Sequence, residues 1–243
     1  MRVDCTYSEW GGFRRADFRF EDRDALIVFP KCEKNGKWLV KMEYFGAFPE
    51  LEFEMLNRGW HLAYLQNHNR WGTDDDSDAK ARFADFVSAE FGLENRFSCV
   101  GMSCGGICSV NFAARHPDKA GVLYLDAPVM NLLSCPCGLG VATDKLYAEF
   151  FEAMGLTVSE LLNYRSHPVD FIGDLIEHRV PIALVCGDSD SVVPYIENGA
   201  ILSAAYRKTD IPFFEELKTG CDHHPHGLND NTQLIDFAEK YYD

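Results

Sequence analysis

The clearest candidate for chemistry is the segment Gly-Met-Ser-Cys-Gly at residues 101–105. An apolar run over residues 97–101 predicts a strand before it, and a helical pattern over residues 107–115 follows it. Small residues on both sides of Ser103 permit a tight strand-to-helix turn that lifts the hydroxyl above the end of the sheet. The backbone N–H of Cys104, at the start of the helix, then points to where an oxyanion would form. The pattern predicts that Ser103 is a nucleophile in acyl transfer.

A serine nucleophile needs a general base, and the base needs an acid that orients it. Two aspartates, Asp188 and Asp190, follow an apolar run over residues 182–186. Three histidines follow the last predicted strand, and they are His223, His224 and His226. The order serine, acid, histidine is therefore available along the chain.

The same histidines, together with Asp222, offer an alternative as a metal site. Neighbouring side chains in a loop generally diverge, which makes His223 and His224 a poor pair for one ion, and a metal centre needs a well-formed ligand set. We therefore expect no metal and no cofactor.

Several motifs outside the turn resemble one known group of proteins. They are Gly-Lys-Trp at residues 36–38 with Glu-Tyr-Phe-Gly at 43–46, Asp-Ala-Pro-Val at 126–129, and His-His-Pro-His-Gly-Leu at 223–228. With the serine turn, they make the chain similar to the α/β-hydrolase family, and within it to a bacterial subgroup that tends to occur among carbohydrate-degrading genes and is usually labelled as esterases.

The resemblance assigns the two remaining catalytic roles. The family's acid commonly lies three residues after a strand-ending glycine and shortly before a Val-Pro pair, which is the position of Asp190. Its histidine often lies three residues after a glycine in the loop that follows the last strand, which is the position of His223. Asp188 is the alternative acid, and it is otherwise a turn cap.

The resemblance also leads to expectations for the rest of the site. Cys104 stands where the subgroup leads us to expect arginine, but its backbone N–H can still serve the oxyanion. The second oxyanion donor is expected in the loop after the strand over residues 25–29, at Lys31 or Cys32, although Pro30-Lys31 replaces the usual His-Gly there. The expected pocket residues are Trp38, Glu43, Tyr44, His224 and His226.

Short apolar runs alternate with helical patterns along the chain. The predicted strands cover residues 25–29, 60–65, 97–101, 121–125, 182–186 and 212–217, and the predicted helices cover 48–58, 77–91, 107–115 and 232–242. This alternation predicts an α/β fold of the α/β-hydrolase type, with a mostly parallel sheet covered by helices on both faces. We expect one domain over residues 1–243. Residues 129–179 lack a convincing strand, and they are expected to form a lid with helices near 145–154 and 158–164.

Composition excludes several classes of protein. The 243 residues carry 23 basic and 38 acidic side chains, which gives a formal charge of −15 and argues against nucleic acids and anionic membranes as partners. No apolar run approaches the ~18 residues of a membrane-spanning helix, and the N-terminus lacks the apolar core of a signal peptide. Nine scattered cysteines are typical of reduced thiols, so we expect a cytoplasmic protein.

These observations predict a serine hydrolase that cleaves small carboxylic esters through an acyl-enzyme. The resemblance points to acetyl esters on sugars, so the expected partner is a small-molecule ester or an acylated carbohydrate. Two alternatives stay open, namely an amide or peptide hydrolase with the same catalytic residues and a non-catalytic binding protein with the same fold.

Overall fold

A nine-stranded β-sheet runs through the computed structural model, which describes residues 3–142 and 147–242. Its strands are β1 (Thr6–Trp10), β2 (Phe13–Phe20), β3 (Arg23–Val28), β4 (Trp38–Lys41), β5 (His61–Leu65), β6 (Phe97–Met102), β7 (Ala120–Asp126), β8 (Ile182–Gly187) and β9 (Phe213–Lys218). Their order across the sheet is β1-β2-β3-β5-β4-β6-β7-β8-β9.

Strand direction decides which loops can meet. Parallel pairing joins six neighbouring strands, in the order β5, β4, β6, β7, β8 and β9. Antiparallel pairing joins β1 to β2, β2 to β3 and β3 to β5. The carboxyl ends of β4 to β9 therefore share one edge of the sheet, which is where ligands bind in parallel sheets. The carboxyl end of β3 lies at the opposite edge.

Helices cover both faces of the sheet. They are α1 (Glu50–Asn57), α2 (Asp74–Phe91), α3 (Cys104–Arg115), α4 (Tyr147–Met154), α5 (Val158–Asn163), α6 (Ile172–Glu177), α7 (Gly199–Tyr206) and α8 (Thr232–Tyr241). Buried side chains of α2, α3, α6 and α7 form one core cluster against the sheet, and those of α1 and α8 form a second. The α/β-hydrolase fold that the sequence predicts is therefore confirmed. No helix in the described part of the chain is both long and apolar enough to cross a membrane.

The helix α2 begins earlier than the sequence predicts. Its cap is Thr73, whose hydroxyl accepts a hydrogen bond from the backbone N–H of Asp76 at 3.2 Å, so the helix begins at Asp74 rather than at residue 77. Three aspartates fill the first turn, where the helix dipole favours negative charge. The acidic run therefore extends the helix by one turn beyond the apolar stripe.

The segment over residues 129–179 divides into two parts. The helices α4 and α5 join a third core cluster with Trp71, Cys104 and Val193, beside the carboxyl edge of the sheet. The helix α6 instead packs into the main core on the sheet face, because parallel β7 and β8 need a crossover helix between them. Residues 145 and 146 of the predicted first helix lie outside the described residues.

Candidate active site

Ser103 lies at the sharp turn that joins β6 to α3. Its backbone has φ 52° and ψ −118°, a combination that is strained for a residue with a side chain. The turn is held by its own backbone, since the N–H of Ser103 donates to the carbonyl of Asp126 at 3.0 Å and its carbonyl accepts from Val129 at 3.0 Å. Gly101 is required by close packing, because a Cβ atom there would lie 2.3 Å from Oγ of Ser109. The predicted strand–turn–helix at the serine is therefore present.

Two hydrogen bonds connect three of the predicted residues. Nε2 of His223 lies 3.1 Å from Oγ of Ser103, and Nδ1 of His223 lies 2.8 Å from Oδ2 of Asp190. An ionised carboxylate only accepts hydrogen bonds, so Nδ1 carries the proton and Nε2 presents its lone pair to the hydroxyl. The arrangement can take a proton from the serine.

The carboxylate of Asp190 is fixed by the loop that carries it. Its Oδ1 atom accepts hydrogen bonds from the backbone N–H groups of Val192 at 2.9 Å and Val193 at 2.7 Å. These bonds leave Oδ2 for His223 and set its direction. Both Asp190 and His223 are buried, which keeps water from competing for the contact.

Two other aspartates, Asp188 and Asp222, form hydrogen bonds that hold the loops of the site together. Asp188 accepts from the backbone N–H of Gly220 at 2.7 Å, which joins the loops after β8 and β9. Asp222 accepts from the backbone N–H groups of Ser191 and His223, each at 2.8 Å. The hydrogen bond from Ser191, followed by the one from His223, lowers the pKa of Asp222. Asp188, the alternative acid, therefore has a structural role in joining these two loops.

The remaining two histidines border the same cleft. Nδ1 of His226 lies 2.7 Å from Oδ1 of Asp126, at the end of β7, and His224 stacks on Phe48 with ring centroids 5.5 Å apart. Burial, followed by the neighbouring His223 and His226, lowers the pKa of His224. One ring nitrogen from each of the three histidines lies within 4.8 Å of the others. The expectation that adjacent histidines diverge is therefore wrong, although Asp222 does not join the group.

The loop after β4, not the loop after β3, approaches the serine. β4 is the immediate neighbour of β6, and its carboxyl end leads into residues 42–48. Lys31 lies over the ring of Phe13, and Sγ of Cys32 lies 3.2 Å from the carbonyl of Asn57, at the opposite edge of the sheet. The expectation that Lys31 or Cys32 donates to the oxyanion is therefore wrong.

Tyr44, in the loop after β4, lies near Ser103, where the second oxyanion donor is expected. Its φ of 57° is unusual for a residue with a side chain, and its backbone N–H lies 3.3 Å from Oε1 of Glu43. Its hydroxyl accepts a hydrogen bond from Arg70 at 3.2 Å and interacts with the thiol of Cys104. Burial, followed by that thiol, raises the pKa of Tyr44, so the hydroxyl keeps its proton.

Arg70 is a site residue that the sequence did not reveal. It lies in the loop after β5, stacks on Trp71 and donates to Oε1 of Glu149 in α4 at 2.7 Å. A single arginine in a polar loop gives no pattern that distinguishes it from a solvated side chain. In the folded chain it joins Tyr44 to the first helix of the predicted lid.

Two expected pocket residues lie elsewhere. Trp38 is fully buried in the core at the start of β4, where its Nε1 donates to the carbonyl of Glu94 at 2.8 Å, so its predicted pocket role is wrong. Glu43 lies behind the serine turn and accepts from Nδ2 of Asn67 at 2.6 Å. It supports the Tyr44 loop rather than lining the cleft.

The cleft above Ser103 has a volume of about 340 Å³. Its lining residues are Tyr44, Ala47, Phe48, Arg70, Met102, Ser103, His223, His224 and His226. A larger groove of about 670 Å³ shares Phe48 and His226 with it but does not reach the serine. The hydrogen-bonded serine, rather than the larger volume, marks the candidate site.

Comparison with known families agrees with this geometry. Residues 57–243 match the prolyl oligopeptidase family, which is the Peptidase_S9 family. The chain belongs to the prolyl oligopeptidase family. It is thus a member of a serine hydrolase family that has the α/β-hydrolase fold. No curated protein matches the chain.

Solved structures of similar fold include both peptidases and an esterase. Dipeptidyl peptidase 4 of Porphyromonas gingivalis has a TM-score of 0.69 at 17% identity over 99% of this chain, but only 36% of that protein is covered. Acetyl xylan esterase 1 of Thermoanaerobacterium sp. JW/SL YS485 has a TM-score of 0.65 at 17% identity, over 99% of this chain and 88% of that one. The acylaminoacyl peptidase of Pyrococcus horikoshii has a TM-score of 0.65 at 14% identity, over 92% and 38%. The chain therefore spans about a third of the length of the first peptidase.

Proposed function

We propose that Ser103, His223 and Asp190 form the catalytic triad of a carboxylic ester hydrolase that acts on small acyl esters, including acetyl groups on sugars. The observation that carries this proposal is the pair of hydrogen bonds from Ser103 to His223 at 3.1 Å and from His223 to Asp190 at 2.8 Å. A serine hydroxyl with a neutral imidazole on one side and a cleft on the other is equipped for acyl transfer.

The proposed reaction proceeds in two halves. Oγ of Ser103 attacks the ester carbonyl while Nε2 of His223 takes the hydroxyl proton. His223 then protonates the departing alcohol, which leaves an acyl group on Ser103. A water molecule repeats the sequence and releases the acid. Asp190 keeps the proton on Nδ1 and stabilises the imidazolium that forms in each half.

The oxyanion of the tetrahedral intermediate needs two donors. The backbone N–H of Cys104, at the first turn of α3, is one, and the positive end of the helix dipole lies there. We assign the other to the backbone N–H of Tyr44, because the β4 loop that carries it lines the cleft beside Ser103. Its weak contact with Glu43 is long enough at 3.3 Å to be exchanged for a substrate oxygen.

The cleft favours small esters over peptides with a free amino terminus. Among the described residues that line it, the charged side chain is Arg70, and none is a carboxylate that would bind an ammonium group. Its volume of about 340 Å³ suits a small acyl group. The chain also covers 88% of the similar acetyl xylan esterase, but less than two fifths of either peptidase.

A peptidase is the second candidate function, because the matched family and two of the similar structures are peptidases. Nitrophenyl esters of increasing chain length, acetylated sugars and aminoacyl nitroanilides should be assayed with one preparation. We expect acetyl esters to give the highest kcat/KM. A higher kcat/KM for the aminoacyl amides would establish the peptidase instead.

We propose that α4 and α5 form a lid over the cleft. Supporting this role, both helices pack in the cluster that contains Cys104 and Trp71, and Glu149 in α4 is paired with Arg70 in the cleft. The substrate would then meet the lid beside Arg70, which joins Glu149 of α4 to Tyr44.

We also propose that residues 1–243 form a single cytoplasmic domain. The described strands all belong to one sheet, which supports one domain. Cys32 is an exposed thiol, and Cys5 and Cys221 are partly exposed thiols, which a reducing compartment favours. Immunodetection after cell fractionation, beside a periplasmic marker, tests the location.

A further inference from the structure

Three imidazole rings converge at the cleft, although catalysis as proposed requires one. The ring centroids of His223, His224 and His226 lie 4.9 Å apart in each pair. One ring nitrogen from each lies within 4.8 Å of the other two. Three imidazoles gathered in this way are the donor set that Zn²⁺ accepts when a fourth position stays open to water.

Buried carboxylates hold two of these rings in the protonation pattern that a metal needs. Nδ1 of His223 lies 2.8 Å from Asp190, and Nδ1 of His226 lies 2.7 Å from Asp126. Each Nδ1 therefore carries the proton, and each Nε2 keeps its lone pair. A carboxylate behind a ligating histidine is the usual support for a bound zinc ion.

We propose that His223, His224 and His226 bind one Zn²⁺ ion in the cleft and that the bound ion reversibly inhibits the hydrolase. The binding site stands on the histidine cluster alone, whereas the inhibition rests on the proposed function. Each ligand would donate a nitrogen lone pair, and a water molecule would complete a tetrahedron. No bond to substrate and no change of oxidation state is involved.

Inhibition follows from competition for one lone pair. Nε2 of His223 lies 3.1 Å from Oγ of Ser103 and must accept its proton during attack. A nitrogen that coordinates zinc cannot accept that proton. Zn–N bonds of about 2.0–2.1 Å place tetrahedral nitrogens about 3.3 Å apart, so nitrogens that lie within 4.8 Å of one another must approach by up to about 1.5 Å. The exposed ring of His224 can supply the larger part of this movement, whereas His223 and His226 must turn about their contacts with Asp190 and Asp126.

A second cluster of similar residues supplies a matched control. His68, Asp75 and Asp76 also offer three nearby ligand atoms. The guanidinium of Arg23 lies among them, 3.2 Å from Nδ1 of His68 and 2.5 Å from each aspartate, so a cation is already present. We therefore expect no zinc at this cluster.

The binding experiment uses calorimetric titration of Zn²⁺ into the full chain. We expect one ion per chain in the wild type and in Ser103→Ala, and an affinity lower by at least about tenfold in His224→Gln, since even the loss of a supporting residue costs roughly 10–100-fold. His68→Gln should match the wild type. Co²⁺ in place of zinc should give visible bands without thiolate charge transfer, which separates this site from the cysteines.

The inhibition experiment measures hydrolysis of nitrophenyl acetate against Zn²⁺ concentration, with reversal by EDTA. Each variant is compared with its own zinc-free rate. We expect His224→Gln to raise the half-inhibitory concentration by at least about tenfold and His68→Gln to leave it unchanged. Equal zinc binding by the wild type and His224→Gln would overturn the site. Binding without loss of rate would overturn the inhibition. The protein could hydrolyse no substrate before zinc is added and still bind one titrated ion through His224. That result would overturn the proposed function and leave the zinc site standing.

Discussion

Nδ1 of His226 lies 2.7 Å from Oδ1 of Asp126, which repeats the contact between His223 and Asp190 without reaching the nucleophile. Oδ2 of Asp126 accepts from the hydroxyl of Tyr124 at 2.6 Å and from the backbone N–H of Gly227 at 2.7 Å. Burial acts to raise the pKa of Asp126, but the hydrogen bond from His226 and the others hold it below its ordinary value. His226 therefore anchors the histidine loop to β7.

Substitution of the two anchored histidines should separate catalysis from stability. We expect His223→Ala to lower kcat/KM by several orders of magnitude, because it removes the proton acceptor. His226→Ala should lower the free energy of unfolding by roughly 1–3 kcal/mol, because the buried Asp126 carboxylate loses one of three hydrogen-bond donors and keeps those of Tyr124 and Gly227. Ester kinetics and denaturant unfolding measure the two effects. Full activity in folded His223→Ala would refute the assignment of the base.

Tyr44→Phe distinguishes the two groups that this residue could offer to an oxyanion. We expect kcat to stay within about tenfold of the wild type, because the backbone N–H is retained and the hydroxyl contacts Arg70 and Cys104 instead. Steady-state kinetics with nitrophenyl acetate provides the measurement. A loss of roughly 10²–10³-fold would assign the oxyanion contact to the hydroxyl.

The pair between Arg70 and Glu149 tests the lid. Glu149→Gln removes an exposed ion pair, which costs at most about 1 kcal/mol of stability. If α4 closes the cleft, the ratio of kcat/KM for butyrate over acetate esters should change by several-fold. Glu152→Gln, an exposed glutamate on the same helix, is the control and should keep the wild-type ratio. An unchanged ratio in Glu149→Gln, with the same pair of substrates, would contradict a lid role.

Acid should destabilise the fold partly through His61 in β5. Burial, followed by the charge of Lys34, lowers the pKa of His61 to about 4 from the ordinary 6.5. The unfolded chain therefore binds this proton more readily, so the neutral form contributes full stability above pH ~6.5 and loses it as the pH falls toward 4. We expect the wild type to lose about 3 kcal/mol more than His61→Phe between pH 7 and 4. Equal losses of unfolding free energy in the wild type and His61→Phe over this pH range would disprove the role of His61.

The buried parallel strands were predictable because their apolar runs are continuous. β6, β7, β8 and β9 begin and end within one residue of the predicted limits, and their carboxyl ends place Ser103, Asp190 and His223 at one edge. The hairpin of β1 and β2 was missed, since its charged and partly exposed residues do not form an apolar run. The helix α7 was also missed, because its small and apolar residues are too short a run to show a helical stripe.

The error at the oxyanion donor follows from one missed strand. β4 has four residues, too few for a periodic pattern, and its Trp38 suggested a pocket rather than a core strand. Because β4 was not predicted, the strand at residues 25–29 was wrongly expected to precede the oxyanion loop beside the nucleophile strand β6. The sequence also does not reveal that β3 is antiparallel to β5, which sends Lys31 to the opposite edge. Pairing order and direction depend on contacts that are distant along the chain.

Covalent labelling with a fluorophosphonate tests the proposed triad most directly. Oγ of an activated serine bonds to phosphorus and fluoride departs, so the protein gains one adduct that peptide mass spectrometry locates. We expect one adduct per chain, on Ser103, with labelling abolished in Ser103→Ala and strongly slowed in His223→Ala. A folded wild-type protein that stays unlabelled, or an adduct on another serine such as Ser191, would contradict the triad.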